Sequence, residues 1–130
     1  MSRAVEELLR YSGIIPSLFR KAGAAVDLRF AQLAAGDRVT LMIGSANRDP
    51  AQFPDPDRLD VSRRETGQLT LGIGRASCAG ARLIRMAHSV GIATLLRKSE
   101  RVEVVDSVRW TSGSGLTWPT SVHVTLGMST

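Results

Sequence analysis

Val5, Leu8 and Leu9 recur at helical spacing with Glu6, Glu7 and Arg10 between them, which predicts a short helix over residues 4–11. Gly13 and Pro16 end it. Residues 25–30 and 38–43 read as strands, and the turn formers in Leu33-Ala34-Ala35-Gly36-Asp37 predict that the two pair antiparallel. One helical turn is expected within residues 45–53, where Asn47 and Asp49 favour caps and turns. Pro50, Pro54 and Pro56, with aspartates around them, mark an irregular segment over residues 49–60 that charges can still order. The strongest helical pattern covers residues 81–98. Its apolar positions (Leu83, Ile84, Met86, Ala87, Val90, Ile92, Ala93, Leu95 and Leu96) take up most of the circumference, so burial on nearly all sides is expected. Arg97 and Lys98 suit its C-terminal end. Strand-like pieces follow at residues 101–105, 108–110 and 121–126, with Gly113-Ser114-Gly115 as a turn. No repeat or linker divides the chain, and the expected class is α+β.

Composition narrows the function classes. The chain has 130 residues, the size of one domain, and 43% apolar content, normal for a soluble globular protein. Net charge is +5, yet the arginines are scattered and aromatic residues make up only 5%, which argues against nucleic acid as a partner. The longest apolar-leaning stretch, residues 86–96, is too short to span a bilayer and carries His88, so no membrane role is expected. The start MSRAVEELLR has no apolar leader, and the single cysteine suits a reducing compartment, so a cytoplasmic location is expected. One cysteine and the scattered His88 and His123 give no zinc spacing. Residues 72–80 lack the Lys-Ser/Thr ending of a phosphate loop, and no local motif supplies a hydrolase base.

Candidate chemistry concentrates in Leu71-Gly72-Ile73-Gly74-Arg75-Ala76-Ser77-Cys78-Ala79-Gly80, directly before the long helix. A cysteine that binds metal does so as thiolate, and a free thiol titrates near ~8.5, so the site must stabilise negative charge. Backbone N–H groups in a tight glycine loop and the N-terminus of the following helix do that. Gly72, Gly74 and Gly80 also let a flat macrocycle approach the backbone. The arrangement fits an axial thiolate under a heme. From this stretch alone, a glycine-rich turn around a buried, inert cysteine fits equally well.

The rest of the chain shifts that balance. Gly72, Gly74, Cys78 and Gly80 match the cysteine loop F-G-x-G-x-[HR]-x-C-x-G of the cytochrome P-450 family, the heme-thiolate monooxygenases, which this stretch resembles. Glu7-Leu8-Leu9-Arg10 matches the E-x-x-R of that family's helix K. Asn47-Arg48-Asp49-Pro50 and then Phe53-Pro54-Asp55-Pro56-Asp57-Arg58-Leu59-Asp60 look like its meander in the bacterial phrasing. The motifs stand in family order with Phe19-Arg20-Lys21-Ala22 between, and the resemblance covers residues 4–126.

The resemblance implies a C-terminal portion of the P-450 fold. Its parts are helix K, a small antiparallel sheet, the meander, the cysteine loop, a long helix L and a β tail, with residues 1–130 one partial domain. It implies heme (iron protoporphyrin IX) as cofactor, with Cys78 the axial iron ligand beside Leu71, Gly72, Gly74 and Gly80. Arg20, with Arg75 as a second candidate, would hold propionates; Arg20 reads alternatively as an exposed basic residue beside Lys21. Glu7 would bridge Arg10 and Arg58 and so pin the meander, against the alternative of a solvated Glu7–Arg10 pair. The implied reaction inserts one oxygen of O2 into a small organic substrate, with electrons from a ferredoxin or reductase. Arg63, Arg64, Arg82 and Arg85 are candidates for a basic patch toward such a donor, or ordinary solvated arginines.

The family's distal helix, with its acid and alcohol, precedes helix K, whereas this sequence has only three residues before Ala4. Catalysis by the chain alone is therefore not expected, exposed apolar area on the long helix is, and a non-catalytic remnant or helper protein is the alternative. His88 is expected to be packed or partly exposed rather than a second iron ligand, and His123 structural. Two positions depart from the family. Leu71 replaces the usual Phe, and Ala76 stands where His or Arg meets a propionate. Heme is therefore expected to be held loosely. Ala76→Arg should tighten it in a heme-affinity titration, and unchanged affinity would contradict this.

Overall fold

The computed structural model describes residues 2–64, 66–113 and 116–127. Helix α1 (Ser2–Ser12) forms where predicted, with Val5 and Leu9 one turn apart on its buried face. Gly13 follows because there is no room for a side chain. A Cβ there would stand 2.7 Å from Thr70 Cγ2 and 2.9 Å from the Leu9 carbonyl.

The first sheet region departs from the expected pairing. Strand β1 (Leu18–Lys21) pairs antiparallel with β4 (Arg38–Leu41), which puts Arg20 opposite Val39. Between them, β2 (Val26–Leu28) and β3 (Ala31–Leu33) close on each other as a tight hairpin. Residues 25–30 therefore fold back locally instead of meeting residues 38–43. The turn chemistry after Leu33 is as expected, but it aims the chain differently. Asp37 Oδ2 accepts from Ala34 N at 2.8 Å, and Gly36 sits at φ +97°. Gly36 N donates to Ala22 O at 2.8 Å and Ala22 N to Asp37 O at 2.9 Å, which returns the strand to β1.

The expected helical turn is α2 (Ile43–Ala46), shifted toward the strand. Residues 49–60 contain no strand or helix, as predicted. The cysteine loop includes a 3-10 turn (Gly74–Ala76) and leads into helix α3 (Ala81–Lys98), whose bounds are those read from the sequence. Beyond it, β5 (Arg101–Val104) pairs with β8 (Val124–Gly127), and β6 (Arg109–Gly113) with β7 (Leu116–Ser121). Strand β7 contains Pro119 and was not expected. Ser114 and Gly115 of the predicted turn lie outside the described residues. Thr117 N donates to Ile14 O at 2.9 Å and ties the tail to the segment after α1.

Helix α3 packs against α1 but is not buried on all sides. Leu83, Met86, Val90 and Leu96 remain 58–63% exposed, because α1 and the cysteine loop meet only part of its surface. The apolar core is correspondingly small: Val5, Leu9, Ile43 and Phe53. The buried set also contains Glu7, Arg10, Asn47 and Arg63, so polar groups share the core with these four side chains.

Candidate heme-thiolate site

Glu7 and Arg10 share one face of α1, and their side chains are only 2% and 1% exposed. The pair is therefore not a solvated surface ion pair. Arg10 Nε donates to Glu7 Oε2 at 2.7 Å and Nη2 to Oε1 at 2.8 Å, a bidentate grip. The second guanidinium on this carboxylate belongs to Arg63, at 3.2 Å, and not to Arg58 as expected. Arg58 contributes its carbonyl instead, accepting from Arg10 Nη2 at 3.3 Å and Arg63 Nη2 at 3.2 Å. The backbone trace decides between them: Arg58 N closes a turn onto Asp55 O and the side chain faces solvent, whereas Arg63 turns inward.

The remaining N–H groups feed the irregular segment. Arg10 Nη1 donates to Asn47 O and Pro56 O, both at 2.8 Å. Arg63 donates to Pro54 O at 2.6 Å and Asp55 O at 3.1 Å. Asp60 N returns a hydrogen bond to Glu7 Oε1 at 2.9 Å. A proline-rich segment cannot satisfy its carbonyls by a ladder, and two guanidiniums do it instead. The Phe53 ring lies 5.3 Å from the Arg10 guanidinium carbon.

Asn47 extends this order to the cysteine loop. Its Oδ1 accepts from Leu69 N at 2.7 Å, and its Nδ2 donates to Thr70 Oγ1 at 2.9 Å. Thr70 Oγ1 donates in turn to Leu9 O at 2.7 Å. The sequence marked Asn47 as a turn former and a member of the meander motif, and Arg63 as a patch residue. Burial of both, which a lone sequence does not display, is what identifies them.

The loop closes on itself through Cys78 N, which donates to Leu71 O at 2.7 Å. Gly72 and Gly74 have φ of +69° and +61°, and a Cβ on Gly72 would stand 2.7 Å from Ala76 O. Near Gly80 a Cβ would meet Cys78 Sγ at an ordinary 3.8 Å, so that glycine is not sterically compelled by the sulfur. Cys78 is a free, exposed thiol. With Leu71 it lines a largely apolar cavity of about 300 Å³ whose walls include Leu8, Leu9, Ile14, Ile15 and Ile84, with Ser12, Thr70 and His88 as polar members. An apolar cavity with one sulfur donor in its wall fits a heme held by a thiolate.

Arg20 and Arg75 do not line that cavity. Arg20 is exposed on β1 and donates to its neighbour's carbonyl, Phe19 O, at 2.8 Å, while Arg75 is exposed in the 3-10 turn. The four-arginine patch is not a set of equivalent cations. Arg63 is buried on Glu7, Arg85 pairs with Glu6, and Arg64 and Arg82 are the exposed members. His88 is exposed, with Nδ1 against Ile84 O at 2.8 Å, and His123 Nδ1 lies 3.3 Å from Asp106 Oδ2. Among the described residues no cluster of three metal-ligating side chains occurs, and no helix is long and apolar enough to cross a membrane.

The chain is similar to known proteins. A family model described as Cytochrome P450 matches residues 1–119. Cytochrome p450 CYP199A2 of Rhodopseudomonas palustris is 34% identical over 106 residues, covering 82% of this chain and 26% of that protein. The beta-dihydromenaquinone-9 omega-hydroxylase of Mycobacterium tuberculosis is 34% identical over 121 residues, 93% of this chain and 25% of that protein. The crystal structure of P450BioI in complex with hexadec-9Z-enoic acid ligated acyl carrier protein superposes with a TM-score of 0.91 at 32% identity. That match covers 96% of this chain and 33% of the other. The chain thus spans about a quarter of the length of these two curated relatives.

Burial pushes the Glu7 carboxyl upward, but the hydrogen bonds from Arg10, Asp60 N–H and Arg63 together outweigh it and hold it below the ordinary 4.5. Its folded value lies below its unfolded one, so its stabilisation is complete above 4.5 and is lost as pH falls through the folded value. The urea midpoint should therefore be flat from neutral pH down to about 5 and drop below 4.5, with a smaller drop in Glu7→Gln. An equal acid drop in both proteins would contradict this.

Proposed function

The chain belongs to the cytochrome P450 family, and from that premise we propose that residues 1–130 are one partial domain, the heme-binding part of a heme-thiolate monooxygenase. The reading rests on one observation above the others. Cys78, at the closing hydrogen bond of a glycine loop, lines an apolar cavity.

In this reading heme iron under a thiolate supplies the chemistry that splits O–O bonds. The chain's own residues place the sulfur at the wall of the cavity. Helix α3 begins at Ala81, so its N-terminal end lies beside Cys78. Leu71, Ile84, Leu8, Leu9, Ile14 and Ile15 give that cavity apolar walls beside the sulfur. Arg20, which bonds Phe19 O on β1, would hold a propionate, and Arg75 is a second candidate. Insertion of one O2 oxygen into a small organic substrate, with electrons from a ferredoxin or reductase, is the activity of the whole family fold. Exposed Arg64 and Arg82 suit an acidic donor, and a cytoplasmic setting suits both.

A second reading, a non-catalytic remnant or an interaction protein, is favoured by the exposed apolar positions Leu83, Met86, Val90 and Leu96 on α3. Absorbance of the purified chain after heme addition, reduced and under carbon monoxide, separates the two. The first reading predicts the strongly red-shifted Soret band of thiolate-ligated iron and its loss in Cys78→Ser. Absence of heme uptake, or an imidazole-type band, would overturn it in favour of the second.

A further inference from the structure

We propose that Glu6 is a positioning residue that clamps both ends of the cysteine loop on one carboxylate. Glu6 precedes the buried Glu7 on α1, so its side chain leaves the helix on a different face. On the exit side of the loop it receives Arg85 of α3 twice, through Nε and through Nη2 (the latter to Oε2 at 3.2 Å). On the entry side it receives Gln68 Nε2 at Oε2, 3.0 Å. Gln68 is itself fastened to the loop, because its Oε1 accepts from Thr70 N at 2.7 Å. Leu71, next in the chain, offers the carbonyl that closes the loop on Cys78 N. The path from Glu6 thus reaches the sulfur-bearing residue from both directions, through Gln68 and Thr70 on one side and through the second turn of α3 on the other.

The pair is too solvated to matter mainly for stability. The Arg85 and Glu6 side chains are 42% and 39% exposed, and exposed ion pairs contribute little to folding. What the carboxylate fixes is the separation of the two chain segments on either side of the loop. Arg85's hydrogen bond is the chief reason that the Glu6 carboxyl sits below its ordinary value, so the clamp is charged at neutral pH. Gly72 and Gly74, at positive φ, leave the loop without side-chain packing of its own at those positions and dependent on its anchors.

The test is amide hydrogen exchange on the heme-free 130-residue chain. Glu6→Ala should speed exchange at the amides of residues 72–78 about fivefold, with exchange over residues 54–63 and the thermal midpoint unchanged. Gln68→Met and Arg85→Met, each releasing one end, should each give part of that increase. In the heme-loaded chain the ferrous–carbon monoxide band should shift in Glu6→Ala, a change that a merely structural role at constant stability would not produce. Unchanged loop exchange in all three variants would overturn the proposal, as would equal acceleration over residues 54–63. The spectral arm rests on the heme reading and the exchange arm does not, so failure to take up heme and failure of the clamp are separate results.

Discussion

The fold depends on one buried carboxylate that carries two guanidiniums. Glu7 brings Arg10 of its own helix and Arg63 of the irregular segment to the same pair of oxygens. Each arginine then spends its other N–H groups on carbonyls at residues 47, 54, 55, 56 and 58. A buried ion pair of this kind is a weak source of net stability, because removing its charges from water offsets much of the attraction. Its value is specificity: residues 49–60 have few alternatives that would satisfy these cations. Removal of either partner leaves the other charge buried and uncompensated, at a cost of about 3–5 kcal/mol.

Through Asn47 the same order reaches the cysteine loop. Arg10 holds the Asn47 carbonyl, and the Asn47 amide holds Leu69 and Thr70. Helix α1 is thus the hub of the site. Glu7 orders the segment before the loop and Glu6 the loop itself, from adjacent residues. The apolar faces complete the arrangement, since Leu8, Leu9, Leu71 and Ile84 converge on the cavity that Cys78 lines.

Much of this was legible in the residues. Helix α3 was readable to its termini because a long apolar period and charged C-terminal residues speak locally. Glycine at 72 and 74 announced a loop of special conformation, and both do adopt positive φ. The strand pairing was not legible. Leu18–Lys21 is short and carries two basic residues, and the partner of Arg38–Leu41 is set by where the Ala22–Asp37 hydrogen bonds aim the chain. Arg58 and Arg63 could not be told apart by residue type, since each closes a turn, onto Asp55 O and Asp60 O, and the backbone trace turns Arg63 inward. The all-round apolar surface of α3 pointed to burial, yet its partners within this chain cover one side only.

The central claim is that Glu7 and Arg63 form one bridge between segments distant in sequence. A double-mutant cycle in urea unfolding with Glu7→Gln, Arg63→Met and the double variant measures that bridge directly. The structure predicts a coupling of about 2–3 kcal/mol, so that the second substitution costs far less once the first is present. Additive costs, within about 0.5 kcal/mol, would mean that the two side chains do not depend on each other. They would contradict the account of how this chain orders the segment before its cysteine loop.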